Sequence, residues 1–455
     1  MQPQRIRIKN NGPITDFEME INGVNLLIGE QATGKSTIAK SIFFFRNIKT
    51  LIADFLIQVS ETGMYKNKNL VKGSDKFYKL LNPDIKDSFI NLFGYGWDLN
   101  PEFYMRYDFA PNIYIETSLE DFANSGKKYI STKFSSFLSQ RIIDLMNEAL
   151  DFYVTSGKTG MSLELEQGAR NRNRTYIINK LSDLYCDGYS TYYIPAGRSL
   201  LTVMAGSRSA MNQAQNLDLV TERFMGLIDS IRGSFNNGIR GAYKYYPNGK
   251  SLFDVHQLAA KIIRMQKGEY YNTKSGEVLH LTEGSSDSII KLNFMSSGQQ
   301  ELLWLVNFLY ILMLRQEKAF VIIEEPEAHI YPTLQKDVAE FIASYVNICS
   351  GRILCTTHSP YILAAFNNLV YAGFVASKSD SCAKKVKEII SPASIISDGG
   401  LNAIKLFGRD KTPQSESLIG RDEGEISSDM IDEVSGQINS DYTKLYSVLL
   451  DASGE

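Results

Sequence analysis

The 455-residue sequence predicts an α/β fold organised around a parallel sheet, and three local patterns carry that expectation. The apolar run VNLLI (24–28) meets a glycine-bearing turn and then KSTIAKSIFFF (35–45), whose apolar positions suit a helix packed on a sheet. FVII (320–323) and GRILCTT (351–357) are nearly continuous apolar runs, the pattern of strands covered on both faces. ELLWLVNFLYILML (301–314) is apolar on nearly every side. It falls short of the roughly 20 residues needed to cross a bilayer, so a buried core helix is expected there.

Taken in order, the chain opens with sheet. RIRIK (5–9) and FEMEI (17–21) alternate as half-buried strands do, and Asn22-Gly23 between FEMEI and VNLLI reads as a hairpin turn. Beyond the first helix the composition changes to aromatic-rich mixed segments, with a strand expected at NIYIETSLE (112–120) and a long amphipathic helix near 134–153. Strand signal returns at TYYIPA (191–196), a polar helix-prone stretch follows, and strands from EVLHL (277–281) to IIKLNF (289–294) lead into the second half of the core. The expected divisions are 1–50 for the first part of the core, 51–190 for a helical and mixed insertion lobe, and 191–290 for remaining core strands with a helical insertion. Residues 291–411 complete the core, and 412–455 form an acidic tail. That tail carries ten acidic and two basic residues, a local charge of −8, and is expected to be solvated. Neither a solenoid-period repeat nor sustained heptads appear, so no long coiled-coil arm is expected.

Charge and cysteine content narrow the function classes. A net charge of −3 lacks the excess that would itself suggest nucleic-acid binding, so any such surface must be local. The candidate is residues 125–180, with nine basic against five acidic residues, including Arg170, Arg172 and Arg174 in a polar stretch taken as a loop between two helices. Cysteines 186, 349, 355 and 382 show no metal-ligand spacing and fit a reducing compartment. Without a signal-length or membrane-spanning apolar run, a cytoplasmic location with no membrane contact is expected.

Four motifs carry chemistry. Gly29-Glu30-Gln31-Ala32-Thr33-Gly34-Lys35-Ser36 matches G-x-x-x-x-G-K-[ST], in which backbone N–H groups and a helix N-terminus cradle phosphates. Lys35 is expected on the β- and γ-phosphates and Ser36 on Mg²⁺, with Thr37 beside it. The strand FVII delivers Glu324 and Glu325 to its end: Glu324 is the candidate for the magnesium shell and Glu325 for the general base that orients water. Ser296, Ser297, Gly298 and Gln299 precede the buried helix, Gly298 lying 27 residues before Glu325, and Ser297 with Gln300 fits a capping box. Exposed N–H groups and a serine hydroxyl there could bind a γ-phosphate held by a second copy. His358-Ser359-Pro360 follows the next strand, which leaves His358 where it could sense that phosphate.

Together these residues resemble the ABC ATPase class, and within it the SMC/RecF-type heads and the stand-alone ATPases akin to the overcoming-lysogenization-defect family. The likeness covers residues 1–50 and 285–375. It is especially close over EEPEAHIYP (324–332) and TTHSPYIL (356–363), and YYIPAGRS (192–199) looks like a further strand end of that group. The resemblance implies an ABC ATPase head with a mixed sheet, ATP and Mg²⁺ as cofactors, and Met295 to Gln299 as the signature. It also places Arg198 facing the nucleotide. The sequence departs from the group's pattern at Gln31 and Ala32 (usually Asn and Gly), at Glu324 (usually Asp) and at Tyr331 (usually His).

A signature segment is useful only across an interface, so two or more copies are expected to pair head to head on ATP. The likeness to ATPase subunits of two-gene anti-phage systems of the Septu or PARIS type implies a switch controlling a separate nuclease or toxin. The metal-binding toprim domain of nuclease-bearing relatives has no counterpart, and Glu423-Gly424-Glu425 reads as surface loop. The competing class is a DNA repair or recombination ATPase clamping duplex DNA. A transporter subunit is disfavoured by the size of the 51–190 stretch.

Overall fold

The alternation of the first twenty residues does form a hairpin, but not at the Asn-Gly signal. The structure is a computed structural model. It describes residues 3–66, 68–70, 76–94, 102–121, 128–156, 163–205, 217–246, 252–282, 288–397 and 399–420, with 426, 440 and 443. Strand β1 (Gln4–Asn11) pairs antiparallel with β2 (Ile14–Ile21), and Gly12 turns between them at a φ of 56°. Strand β3 (Val24–Gly29) joins a different sheet, so Asn22-Gly23 links two sheets and not two strands of a hairpin. The Asn22 N–H is taken by Asn25 Oδ1 at 2.9 Å, and the Val24 N–H by the Gly400 carbonyl at 2.9 Å. The turn signal is overridden because VNLL is buried residue after residue, which only a strand covered on both faces provides.

Helix α1 (Lys35–Thr62) follows the glycine turn and ends at Gly63, whose left-handed φ of 67° lets its N–H cap the Val59 carbonyl. Next come α2 (Lys76–Phe93), β4 (Tyr104–Ala110), β5 (Ile113–Asp121) and β6 (Lys128–Phe134), then α3 (Ser136–Ser156) and α4 (Leu163–Leu184). Strands β4 to β6 extend the N-terminal hairpin into one antiparallel sheet of order β2-β1-β4-β5-β6. Helices α3 and α4 have 21 and 22 residues, each about 30 Å long at 1.5 Å per residue, so they make no long arm.

The remainder of the core is β7 (Ser190–Ile194), α5 (Arg198–Ala205), α6 (Leu219–Arg232), α7 (Leu252–Gln266), and a small antiparallel sheet of β8 (Gly268–Thr273), β9 (Gly276–Leu281) and β10 (Ile289–Lys291). After these come α8 (Ser297–Arg315), β11 (Ala319–Glu324), α9 (Pro332–Cys349), β12 (Arg352–Thr357), α10 (Pro360–Lys378), α11 (Asp380–Ile389), β13 (Leu401–Leu406) and β14 (Ser415–Ser417). The fold is therefore α/β with a mixed set of sheets. The central sheet has the order β14-β13-β3-β12-β11-β7, parallel except at the β14 edge.

Alternate residues of that sheet feed two cores. Leu26, Val321, Ile323, Ile353 and Cys355 pack with α8, α9 and α10, whereas Leu27, Phe320, Ile322 and Leu354 pack with α1 and the antiparallel sheet. Helix α8 is buried from Gln300 to Leu314, as its all-round apolar sequence anticipates. The parallel strands end together at Ile194, Glu324, Thr357, Gly29 and Leu406. Ligands of open α/β sheets bind at this carboxyl edge, and the Gly29–Ser36 loop, Glu324, Glu325 and His358 lie there. Part of the acidic stretch, including Glu423-Gly424-Glu425, lies outside the described residues.

Candidate functional site

The loop from Gly29 to Gly34 is shaped by what surrounds its glycines. A Cβ on Gly29 would stand 2.5 Å from the Leu406 carbonyl oxygen, and one on Gly34 would stand 2.3 Å from Ile14 Cδ1. Gly34 also has φ 100°, a backbone region that glycine reaches without cost. Ala32 adopts φ 60° at the position where the resemblance expects glycine, a strain of roughly 1 kcal/mol. The loop is braced by the Thr33 hydroxyl donating to the Glu30 carbonyl at 2.9 Å. Gly34 is the N-cap of α1 and offers no capping side chain, so N–H groups at that helix start remain available to an anion. Gln31 and Ser36 are exposed and Thr37 is half-buried.

Lys35 is the buried cation of the loop. Its ammonium donates to the Gly29 carbonyl at 2.8 Å and the Glu30 carbonyl at 2.7 Å, and lies 3.3 Å from His358 Nδ1. His358 Nε2 is in turn 3.2 Å from Glu325 Oε1. Since ammonium can only donate and carboxylate can only accept, these partners favour the tautomer of His358 with its proton on Nε2. Burial lowers the Lys35 pKa to about 8, with Glu325 and Glu327 pulling the other way.

The carboxylate pair divides between two environments. Glu324 is buried at the end of β11; its Oε2 accepts the Ala196 N–H at 3.3 Å, while its Oε1 is buried with no hydrogen-bond partner among the described residues. Beside it the fully buried Tyr193 hydroxyl is held well above its usual range by burial and by the Glu324 charge. Glu325 is half-exposed and takes a left-handed φ of 42°, with its N–H donating to the Thr356 carbonyl at 2.9 Å. Sequence reasoning left Glu327 without a role. Its Oε1 accepts both the Thr357 hydroxyl and the His358 N–H at 2.7 Å, which fixes the backbone that presents the histidine. Ser359 caps α10 by accepting from the Tyr361 and Ile362 N–H groups, and Pro360 opens that helix, as expected.

The serine segment forms a capping box one residue earlier than the sequence suggests. Ser296, not Ser297, is the N-cap: its hydroxyl accepts the Gln299 N–H at 3.4 Å and Gln299 Oε1 accepts the Ser296 N–H at 3.1 Å. The shift follows from Ser296 holding the extended conformation an N-cap needs, which leaves Ser297 as an exposed first helical residue. A Cβ on Gly298 would lie 2.6 Å from the His329 carbonyl oxygen, so the segment sits against the loop that follows Glu325. Among the described residues no hydrogen bond joins Ser296 to Gln299 with the phosphate loop. Lys35, Glu325 and His358 thus converge, and the serine segment stands apart from them within one chain.

Two sequence expectations fail at arginines. Arg198 does not face the crevice: it is fully buried. Its Nε donates to the Glu301 carbonyl at 2.9 Å, its Nη1 to Pro195 O at 2.9 Å and Glu324 O at 2.6 Å, and its Nη2 to Glu325 O at 2.8 Å. Glu301 returns its carboxylate to the Arg198 N–H at 3.0 Å, the Ser199 N–H at 2.9 Å and the guanidinium at 3.2 Å. The one available signal for Glu301 is its acidity in an otherwise apolar helix. Arg170, Arg172 and Arg174 lie in helix α4 and not in a loop. All three are exposed, but two-residue spacing on a helix sends Arg172 to a different side from Arg170 and Arg174.

Residues 212–363 match the AAA ATPase domain family. The matched span contains Ser296 to Gln299, Glu324, Glu325 and His358, and leaves the loop Gly29 to Ser36 outside it. Similar solved structures include an SMC head bound to the C-winged helix domain of ScpA, at 12% identity and TM-score 0.41 over 91% of this chain and 96% of that one. Another is the SMC head domain from Thermotoga maritima, at 10% identity and TM-score 0.36 over 92% and 98%. A third is an SMC head domain with an extended coiled coil from Pyrococcus furiosus, bound to the C-terminal domain of ScpA, at 12% identity and TM-score 0.38 over 96% and 98%. No curated protein matches the chain. Among the described residues no helix is long and apolar enough to cross a membrane.

Proposed function

We propose that the chain is an ATPase whose hydrolytic site is completed by a second copy of itself, and that this pairing works as a switch. One observation carries the reading: residues from three separate strand ends meet in a single line, Lys35 to His358 at 3.3 Å and His358 to Glu325 at 3.2 Å. Such a line suits the γ-phosphate end of a triphosphate, with a cation on the phosphate, a neutral imidazole beside it and a carboxylate to orient water. The donor set fits Mg²⁺: Ser36 is exposed at the helix start, and Glu324 Oε1 is a buried carboxylate oxygen with no hydrogen-bond partner among the described residues. When bound, Mg²⁺ would neutralise charge on the transferring phosphoryl oxygens. The protein's own residues do the rest. Lys35 exchanges the Gly29 and Glu30 carbonyls for phosphate oxygens, and Glu325 takes a proton from water.

Pairing is supported by the exposure of Ser296 and Ser297 at the capped start of α8. Phe294 and Tyr331 are 78% and 75% exposed and belong to the same neighbourhood, because Gly298 abuts His329. Ser297→Arg is expected to leave ATP affinity of the monomer within about twofold of the parent while preventing ATP-dependent dimers. Light scattering on eluted protein with and without MgATP checks this, and dimers unchanged by the substitution would sink the assignment.

The lowered pKa of Lys35 gives a second expectation. Phosphate needs the ammonium form, so ATP affinity should be level below pH 8 and weaken by about tenfold per pH unit above it, until the pKa of the bound state is passed. Calorimetric titration from pH 7 to 10 measures it. Affinity still level at pH 9.5 would mean that Lys35 keeps an ordinary lysine pKa.

For the cellular role, the likeness of EEPEAHIYP and TTHSPYIL favours a sensor subunit of an anti-phage pair, its heads holding and releasing a separate nuclease or toxin. The divergent directions of Arg170 and Arg172 on α4 weigh against a duplex-DNA clamp built on that helix.

A further inference from the structure

Glu325 occupies a backbone conformation that few side chains tolerate, and something must hold it there. Its carbonyl accepts the Ala328 N–H at 3.0 Å and Arg198 Nη2 at 2.8 Å, while Nη1 of the same guanidinium donates to the Glu324 carbonyl at 2.6 Å. The same guanidinium is locked on its other side by Glu301, one turn into the helix that begins at Ser297. The Thr202 hydroxyl adds a donation to the Gln300 carbonyl at 3.1 Å, so α5 and the first turns of α8 are pinned together.

Resting on the ATPase reading above, we propose that Arg198 is a positioning residue: with Glu301 it makes the first turns of α8 and the Glu324-Glu325 backbone one rigid body. The orientation of the Glu325 carboxylate then follows the placement of the Ser296–Gln299 cap. The fork geometry is what makes arginine necessary. Four carbonyls, of Pro195, Glu301, Glu324 and Glu325, are reached from three nitrogens of one plane, and a single ammonium cannot point at all four. The carboxylate of Glu301 is fully committed as well, since its two oxygens take the Arg198 and Ser199 N–H groups along with the guanidinium. The path from cap to catalytic line is continuous: Ser296–Gln299, Glu301, Arg198, the Glu325 backbone, the Glu325 carboxylate, His358 and Lys35.

The test uses the full chain carrying Arg198→Lys, and separately Glu301→Gln, which keeps shape and leaves Arg198 in place should the first variant not fold. Both are expected to lower kcat for ATP by at least about tenfold while KM and the ATP Kd stay within about twofold, because the phosphate loop is untouched. A residue that merely stabilises the fold would instead leave kcat intact or shift KM and Kd together with it. Hydrogen exchange supplies a readout independent of turnover: the Glu325 amide, bonded to Thr356 O at 2.9 Å, should exchange faster in either variant while phosphate-loop amides keep parent rates. Parent kcat in a folded variant, or unchanged Glu325 exchange, overturns the proposal. A parent protein with no ATP hydrolysis would overturn the ATPase reading instead, and the exchange measurement would still decide whether Arg198 holds Glu325.

Discussion

Lys35→Ala is expected to weaken ATP binding by at least about 100-fold. A lysine bridging two phosphate groups makes charge-assisted hydrogen bonds worth roughly 1.5–3 kcal/mol each, and no other cation among the described residues bonds the loop. The protein should stay folded, because burial already disfavours the charged side chain and its loss leaves two loop carbonyls and His358 Nδ1 to water. Calorimetric titration with MgATP, alongside circular dichroism to check folding, tests both halves. Equal affinity in the variant and the parent would refute the phosphate site outright.

Glu325→Gln should produce the opposite phenotype at the same site. Removing a positioned general base lowers kcat by about 10²- to 10⁴-fold. The amide oxygen introduced by the substitution can still accept the proton on His358 Nε2, so the line from Lys35 outward stays in place and ATP binding is expected within about threefold of the parent. ATP that binds but is not cleaved should hold the heads together, giving a long-lived dimer by light scattering where the parent returns to monomer as ATP is consumed. A variant that hydrolyses ATP at the parent rate would assign the base elsewhere.

How far the sequence foretells this site depends on the range over which each feature is determined. The phosphate loop, the carboxylates after FVII and the position of His358 are local patterns between a strand and a helix, and they fall at the carboxyl edge as expected. The Asn22-Gly23 turn fails because a two-residue preference competes with burial of an entire strand. Its outcome is set by Ile353 and Leu401, hundreds of residues away, which pair with Val24 on either side. Ser296 and Ser297 are both competent caps, and a difference of one residue depends on backbone geometry that composition does not encode. Arg198 is the sharpest failure. An arginine after a strand end is ordinarily solvent-directed, and only a carboxylate 103 residues further along, together with the carbonyls of Glu324 and Glu325, makes its burial tolerable.

The contact of Gly34 with Ile14 has a mechanical meaning. With no side chain to cushion the approach, the turn connecting β1 and β2 rests directly on the start of α1, and closely packed interiors pass on a displacement and do not absorb it. A displacement of Pro13 or Ile14 therefore bears directly on the loop that would hold the triphosphate.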